Sequence, residues 1–207
     1  MNMNKNAYRH LICIILAAGQ SKRMNQSKII LPWVQNTVIE NIINAFFDAG
    51  VKQIIVVTGG YRELVEEEVS KFRVKTIFNP DYQNGEMNDS LKTGLKEVPP
   101  ECEAIFVALG DQPEISVDDL QAMIEEHKRN PEKLIIPSYS MRRGHPWLVP
   151  STYFTELRSL KAPETMRDFI QKHEKEIQYF VVKSPAILTD LDTPEDYERL
   201  KPKQEEK

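Results

Sequence analysis

Five short apolar runs rich in β-branched residues recur along the chain: Leu11 to Ala17, Gln53 to Thr58, Val74 to Phe78, Ala104 to Leu109 and Lys133 to Pro137. Their apolar residues are continuous rather than alternating, the pattern of strands buried on both faces. Helical patterns lie between them. The clearest has Thr37 as N-cap, runs to Ala49 with Gly50 just beyond, and carries Ile39, Ile42, Ile43 and Phe46 as one apolar stripe. Others are expected over Arg62 to Lys71, acidic and surface-facing, over Met87 to Lys96, and from Ser116 through His127 with Asp119 at the capping-box distance. Such alternation predicts an α/β fold, a mainly parallel sheet with helices on both faces joined by right-handed crossovers. Ligands of such sheets gather at the carboxyl ends of the strands.

After Pro137 the rhythm changes. Trp147 to Val149 and Ile177 to Val182 are separated by two shorter helical patterns, Thr152 to Leu160 and Thr165 to His173, as in an elaboration for a particular substrate. Pro194 then opens a last helix at its first position. The 207 residues suit one well-filled domain spanning 1–207, with 1–9 and 203–207 expected to fray.

The net charge of −4 argues against bulk attraction to nucleic acid or an anionic membrane, yet its distribution is uneven. Lys5, Arg9, Lys22, Arg23 and Lys28 all precede the first acid, Glu40. Positive charge placed so locally suits a small anionic ligand. Cys13 and Cys102 lack the density of a disulfide scaffold and the spacing of a zinc site, and read as buried reduced thiols. The apolar run at Leu11 is at the lower limit for a signal peptide, and no run approaches the ~18 residues of a membrane span, so a cytoplasmic location is expected.

Four stretches at expected strand ends carry chemistry. The first follows Leu11 to Ala17: Leu16-Ala17-Ala18-Gly19-Gln20-Ser21 supplies backbone N–H groups near Gly19 to Ser21, and Arg23 and Lys28 add cations, a seat for a triphosphate. It is neither a Walker loop nor a dinucleotide fingerprint. The second is Gly110-Asp111-Gln112-Pro113, where Asp111 either starts a turn or holds Mg²⁺. In the third, Asp190-Leu191-Asp192-Thr193-Pro194-Glu195-Asp196, Asp190 or Asp192 is placed to share that metal, while Asp192 or Thr193 caps the next helix. The fourth, Arg142-Arg143-Gly144-His145-Pro146, is a surface turn or the seat of a bulky anionic second substrate. Beside it Gly85 to Ser90 opens a helix able to present N–H groups and the Ser90 hydroxyl to a base or ribose.

Together these stretches, LAAGQSKRM…K at 16–28, G-x-M-x-x-S at 85–90, DQP at 111–113, RGHP at 143–146 and DLDTPEDY at 190–197, resemble the molybdenum cofactor cytidylyltransferases of the MobA-like nucleotidyltransferase superfamily. The resemblance spans Leu11 to Leu200. It implies a Rossmann-like three-layer α/β/α fold of the nucleotide-diphospho-sugar transferase type, and Mg²⁺-dependent transfer of CMP from CTP to the phosphate of molybdopterin or its molybdenum form, with release of pyrophosphate. It implies that Arg23 holds the β- and γ-phosphates, Lys28 the α-phosphate, and Asp111 with Asp192 the metal. Leu16, Ala17, Ala18, Gly19, Ser21, Gly85 and Ser90 would border the nucleotide, and Gln112, Arg143, Gly144 and His145 the pterin. Ala18 stands where guanylyltransferase relatives carry Gly, which favours CTP.

The chain departs from the family at Asn25 and Glu86, both usually Gly, at the added acid Asp89, and at Ala162-Pro163-Glu164-Thr165, where Gly-Asp-x-Gly is expected. These positions keep other readings open: use of GTP, a sugar phosphate as acceptor, or a maturation factor delivering the cofactor to a xanthine-dehydrogenase-type enzyme.

Overall fold

The apolar runs form the sheet at the centre of the computed structural model, which describes residues 10–24, 26–83 and 87–202. In chain order the strands are β1 (Leu11–Ala17), β2 (Pro32–Trp33), β3 (Asn36–Thr37), β4 (Gln53–Thr58), β5 (Lys75–Phe78), β6 (Ala104–Leu109), β7 (Leu134–Tyr139), β8 (Arg142–Arg143), β9 (Trp147–Pro150) and β10 (Ile177–Val181). The α-helices are α1 (Val38–Asp48), α2 (Arg62–Val69), α3 (Met87–Leu95), α4 (Val117–Arg129), α5 (Phe154–Ser159), α6 (Met166–Lys172) and α7 (Pro194–Leu200). Across the sheet the order is β10-β7-β9-β6-β1-β4-β5, with β8 paired to β7 and β2–β3 a separate hairpin. Strands β4 and β6 flank β1 in parallel, β5 follows β4 in parallel, and β10 lies parallel to β7. The exception in the middle is β9, antiparallel to both β6 and β7.

Successive residues of β1 serve opposite layers, because side chains of a strand alternate between its faces. Cys13, Ile15 and Ala17 pack with Ile39, Ile42 and Phe46 of α1 and with Leu120, Met123 and Ile124 of α4. Ile12 and Ile14 pack instead with Leu91 and Leu95 of α3 and with Phe169 and Ile170 of α6. Each fully buried Ile or Phe contributes about 1.5–3 kcal/mol of transfer free energy, so both layers hold the sheet. The fold is thus a mainly parallel sheet flanked by helices, α/β, as the periodicity predicts.

Local signals fix the helix starts. Thr37 caps α1 in a full box with Glu40, whose Oε2 accepts the Thr37 N–H at 2.9 Å, and Ser116 Oγ accepts the Asp119 N–H at 3.1 Å to open α4. The acidic α2 is less of a surface helix than its composition implies, since Val65 and Val69 are buried against the sheet. Cys13 and Cys102 are buried free thiols. Among the described residues no helix is long and apolar enough to cross a membrane.

Candidate active site

The adjacency of β1 and β6 puts two of the chemical stretches side by side. Both strands end at the same edge, where the Gly110 N–H donates to the Leu16 carbonyl at 3.0 Å. A Cβ at position 110 would stand 3.0 Å from that carbonyl oxygen, so a residue without one lets the loops approach. The third stretch joins through the Leu191 N–H, which donates to the Asp111 carbonyl at 3.1 Å. Residues 190–192 therefore lie along residue 111, some eighty positions away in sequence.

The first loop is a tight turn. The Met24 N–H donates to the Ser21 carbonyl at 2.8 Å, the Lys28 N–H donates to Ser21 Oγ at 3.3 Å, and Met24 is buried as an anchor. Ser21 takes a left-handed φ of 45°, so it carries strain within this turn. Asn25, the position of the sequence departure, lies outside the described residues.

Four charged side chains converge there. Lys28 Nζ stands 2.5 Å from Asp111 Oδ2 and 3.1 Å from Asp192 Oδ1, and Arg23 Nη2 stands 2.8 Å from Asp192 Oδ2. Burial works against the Lys28 ammonium, but Asp111 and Asp192 outweigh it and raise its pKa above the usual lysine value. Burial likewise opposes the Asp192 carboxylate, and Lys28 and Arg23 outweigh it, holding its pKa below the usual range. They border a cavity of about 380 Å³ lined also by Leu16, Ala17, Gly19 and Ser21. Gln20, Lys22, Ile29 and Gly110 line it too, beyond the sequence expectation. Gln20 had a visible signal, its place inside the stretch expected to seat phosphates; its Nε2 donates to the Gln83 carbonyl at 3.2 Å and ties the loop to that segment.

Asp190 and Asp192, open alternatives in the sequence, separate in space. Asp192 is in the charge cluster, while Asp190 Oδ1 accepts from Gln112 Nε2 at 2.6 Å. Burial, with Asp111 and Asp192 nearby, raises the Asp190 pKa against the lowering effect of that hydrogen bond. Gln112 is itself buried and turned to Asp190. Ala18 is buried beside the cavity, its carbonyl accepting from the Gly60 N–H at 3.3 Å, and Ser90 Oγ accepts from the buried Asn79 amide at 3.1 Å. Gly85 and Glu86 lie outside the described residues.

The fourth stretch borders a different cavity, of about 560 Å³, lined by Met87, Asn88, Arg143, His145, Trp147 and Arg167 among others. Arg143 sits at its rim, donating to Tyr179 Oη at 2.8 Å and to Glu174 Oε1 at 2.6 Å. Gly144 packs against Ile187, whose carbonyl oxygen would lie 2.3 Å from a Cβ at position 144. His145 stacks on Trp147, ring centroids 4.4 Å apart at 18°, and burial lowers its pKa to about 4, so the ring is neutral at pH 7. The departure at 162–165 closes on this region, the Glu164 carbonyl accepting from Asn88 Nδ2 at 2.6 Å.

Two carboxylates already sharing one cation, the Lys28 ammonium, suit a hard divalent ion: Mg²⁺ is typically held by one or two carboxylates and completed by substrate phosphates and water. Among the described residues no group of three or more His, Cys, Asp or Glu comes together as a metal cluster.

The chain has known relatives. The chain is 32% identical over 188 residues to the molybdenum cofactor cytidylyltransferase of Escherichia coli K12, covering 89% of this chain and 92% of that one. It is 25% identical to the purine catabolism protein PucB of Bacillus subtilis, covering 93% and 96%. The structure of Rv0371c from Mycobacterium tuberculosis superposes with a TM-score of 0.81 at 25% identity, covering 93% and 98%, and the same protein in complex with manganese superposes at 0.76. The MobA-like NTP transferase domain matches residues 13–177, and the chain belongs to that family of nucleotidyltransferases.

Proposed function

We propose that this nucleotidyltransferase moves CMP from CTP to the terminal phosphate of molybdopterin, or of its molybdenum form, and releases pyrophosphate. The observation that carries the reading is the meeting of Arg23 and Lys28 with Asp111 and Asp192 at the carboxyl ends of β1 and β6, over a cavity of about 380 Å³. The cytidylyl donor and pterin acceptor are supported by the E. coli relative's activity, and a divalent ion by the manganese complex of the mycobacterial one. Mg²⁺ held by Asp111 and Asp192 would neutralise phosphate charge and align the triphosphate.

The acceptor is a phosphate monoester whose second pKa is about 6, so it is already an ionised nucleophile at neutral pH and no general base is required. An acceptor oxygen attacks the α-phosphorus, the bond to the bridging oxygen breaks, and pyrophosphate leaves with its electron pair. Lys28 neutralises charge at the α-phosphate and Arg23 that on the departing β- and γ-phosphates, through charge-assisted hydrogen bonds of roughly 1.5–3 kcal/mol each. The chain's contribution is position and electrostatics, the usual resources for phosphoryl-group transfer. We assign the acceptor to the 560 Å³ cavity, where Trp147 offers an aromatic wall and Arg143 and Arg167 positive charge.

The test is pyrophosphate release with each of CTP, GTP, ATP and UTP against molybdopterin and a sugar phosphate, with and without Mg²⁺. CTP with molybdopterin and Mg²⁺ is expected to give turnover, and Asp111→Ala or Lys28→Ala to lower kcat by about 10²-fold or more. Unchanged turnover in both variants removes the site assignment. A second reading, a cofactor-delivering maturation factor for a xanthine-dehydrogenase-type enzyme, is favoured by the closure of Glu164 onto Asn88 beside the acceptor cavity. Tight molybdopterin binding without pyrophosphate release is its expected signature.

A further inference from the structure

We infer that the Lys28 ammonium is the resident occupant of the divalent-cation position, and that it keeps the cation out until a triphosphate draws the lysine away. This rests on the proposed reading that the ligands are a divalent ion, held by Asp111 and Asp192, and a polyphosphate. Lys28 Nζ lies between Asp111 and Asp192, at 2.5 and 3.1 Å, bridging the same two carboxylates that fit the metal. Its side chain is 14% exposed, so it is a packed group rather than a mobile surface lysine. Arg23 takes the second Asp192 oxygen at 2.8 Å, which leaves two positive and two negative side chains in balance.

Each of these four groups already has a partner in direct contact, so neither ligand alone can pair with one of them without stripping another. A divalent ion arriving by itself must displace an ammonium from two oxygens without offering that ammonium another anion. A triphosphate arriving by itself meets Lys28 and Arg23 already paired to carboxylates. When both arrive, every charge can find a new partner: the phosphates take Lys28 and Arg23, and the ion takes Asp111 and Asp192. Binding of the two ligands is therefore positively coupled, and by linkage each tightens the other equally. Asp190, the third carboxylate nearby, is occupied with Gln112 and does not share Lys28.

The inference has an unusual consequence: removing a cation required for turnover should improve metal binding. Mn²⁺ is titrated into the full chain without nucleotide, the free aquo ion being read by electron paramagnetic resonance. Lys28→Met is expected to bind Mn²⁺ about tenfold more tightly than wild type, given the loss of a positive charge in direct contact with both carboxylates. Lys22→Met removes the same charge from the wall of the same cavity without touching the carboxylates, and is expected to change Mn²⁺ affinity less than about twofold. Lys28→Arg keeps the charge and should stay near wild type, and Lys28→Gln replaces Lys28→Met should the latter fail to fold. Equal or weaker Mn²⁺ binding on loss of the Lys28 charge overturns the inference, as does equal tightening by Lys22→Met. The pyrophosphate assay is independent: a chain inactive with every nucleotide but showing the Lys28 effect loses the assigned reaction and keeps the competition, and the converse result does the opposite.

Discussion

Asp192 and Thr193 are adjacent residues that divide two tasks which the sequence allots to either. Thr193 caps α7, its N–H and hydroxyl both donating to Asp196 Oδ2 at 3.1 and 2.9 Å, which leaves both Asp192 oxygens to Lys28 and Arg23. The position where a residue most clearly disagrees with its backbone is Val34, in the turn between β2 and β3. It has a φ of 58° and is 55% exposed, so a β-branched side chain sits in left-handed backbone without burial to offset it. That conformation costs an L-residue about 1–2 kcal/mol, against roughly 0.5–1 kcal/mol for the extra freedom of glycine in the unfolded chain. Val34→Gly is expected to stabilise the protein by about 0.5–1 kcal/mol, seen as a rise in Tm of about 2 °C by calorimetry. An unchanged or lower Tm would show that the turn is not strained by its side chain.

At the scale of elements, α7 acts as a strap. Its N-terminus follows Asp192 directly, and its Tyr197 hydroxyl donates to the Pro32 carbonyl at 2.6 Å, so one short helix links the carboxylate cluster to the β2–β3 hairpin. Loss of an N-cap hydroxyl costs about 1 kcal/mol. Thr193→Ala should therefore lower Tm by about 2–4 °C, and should weaken Mn²⁺ binding in the presence of CTP more than an equally destabilising change far from the site. Equal effects from both changes would mean that α7 does not position Asp192. These helices were legible because their signals are local: the Thr37 cap, the stripe of α1 and Pro194 at a first turn all lie within one or two helical turns, whereas the Glu40 and Asp196 halves of the capping boxes emerge only in the structure. The parallel strands were legible because burial on both faces leaves no polar alternation. The direction of β9 was not, since nothing in Trp147–Pro150 itself says that β6 and β7 will hold it antiparallel from either side. The choice between Asp190 and Asp192 was hidden for the same reason: it depends on Gln112 and Lys28, brought to them only by the sheet.

For the molecule as a whole, the point where local chemistry meets global stability is His145. It lies between the 560 Å³ cavity and another of about 320 Å³, stacks on Trp147, and has a buried Nε2 without a hydrogen-bond partner among the described residues. Charging such a ring has no compensating contact, which is why burial lowers its pKa to about 4 from the 6.5 of an unfolded chain. Between those two values the unfolded state binds a proton that the folded state refuses. A lowered histidine pKa thus gives stability that is fully present above pH 6.5 and is lost progressively as the pH falls toward 4, with a slope of at most about 1.4 kcal/mol per pH unit. His127 acts in the same direction, burial lowering its pKa against the raising effect of Glu103. The carboxylates held low, Asp192 and Glu156 among them, lose their contribution as the pH falls through and below the ordinary carboxylate range, so most of their effect lies on the acid side of the histidine interval. Urea unfolding at pH 7.5, 6.5, 5.5 and 4.5 should show wild-type stability falling from 6.5 downward. His145→Phe, which keeps an aromatic ring on Trp147 and removes the titration, should give a shallower fall over that interval. Parallel curves for the two proteins would place the acid sensitivity elsewhere and leave the stacked ring with a packing role alone.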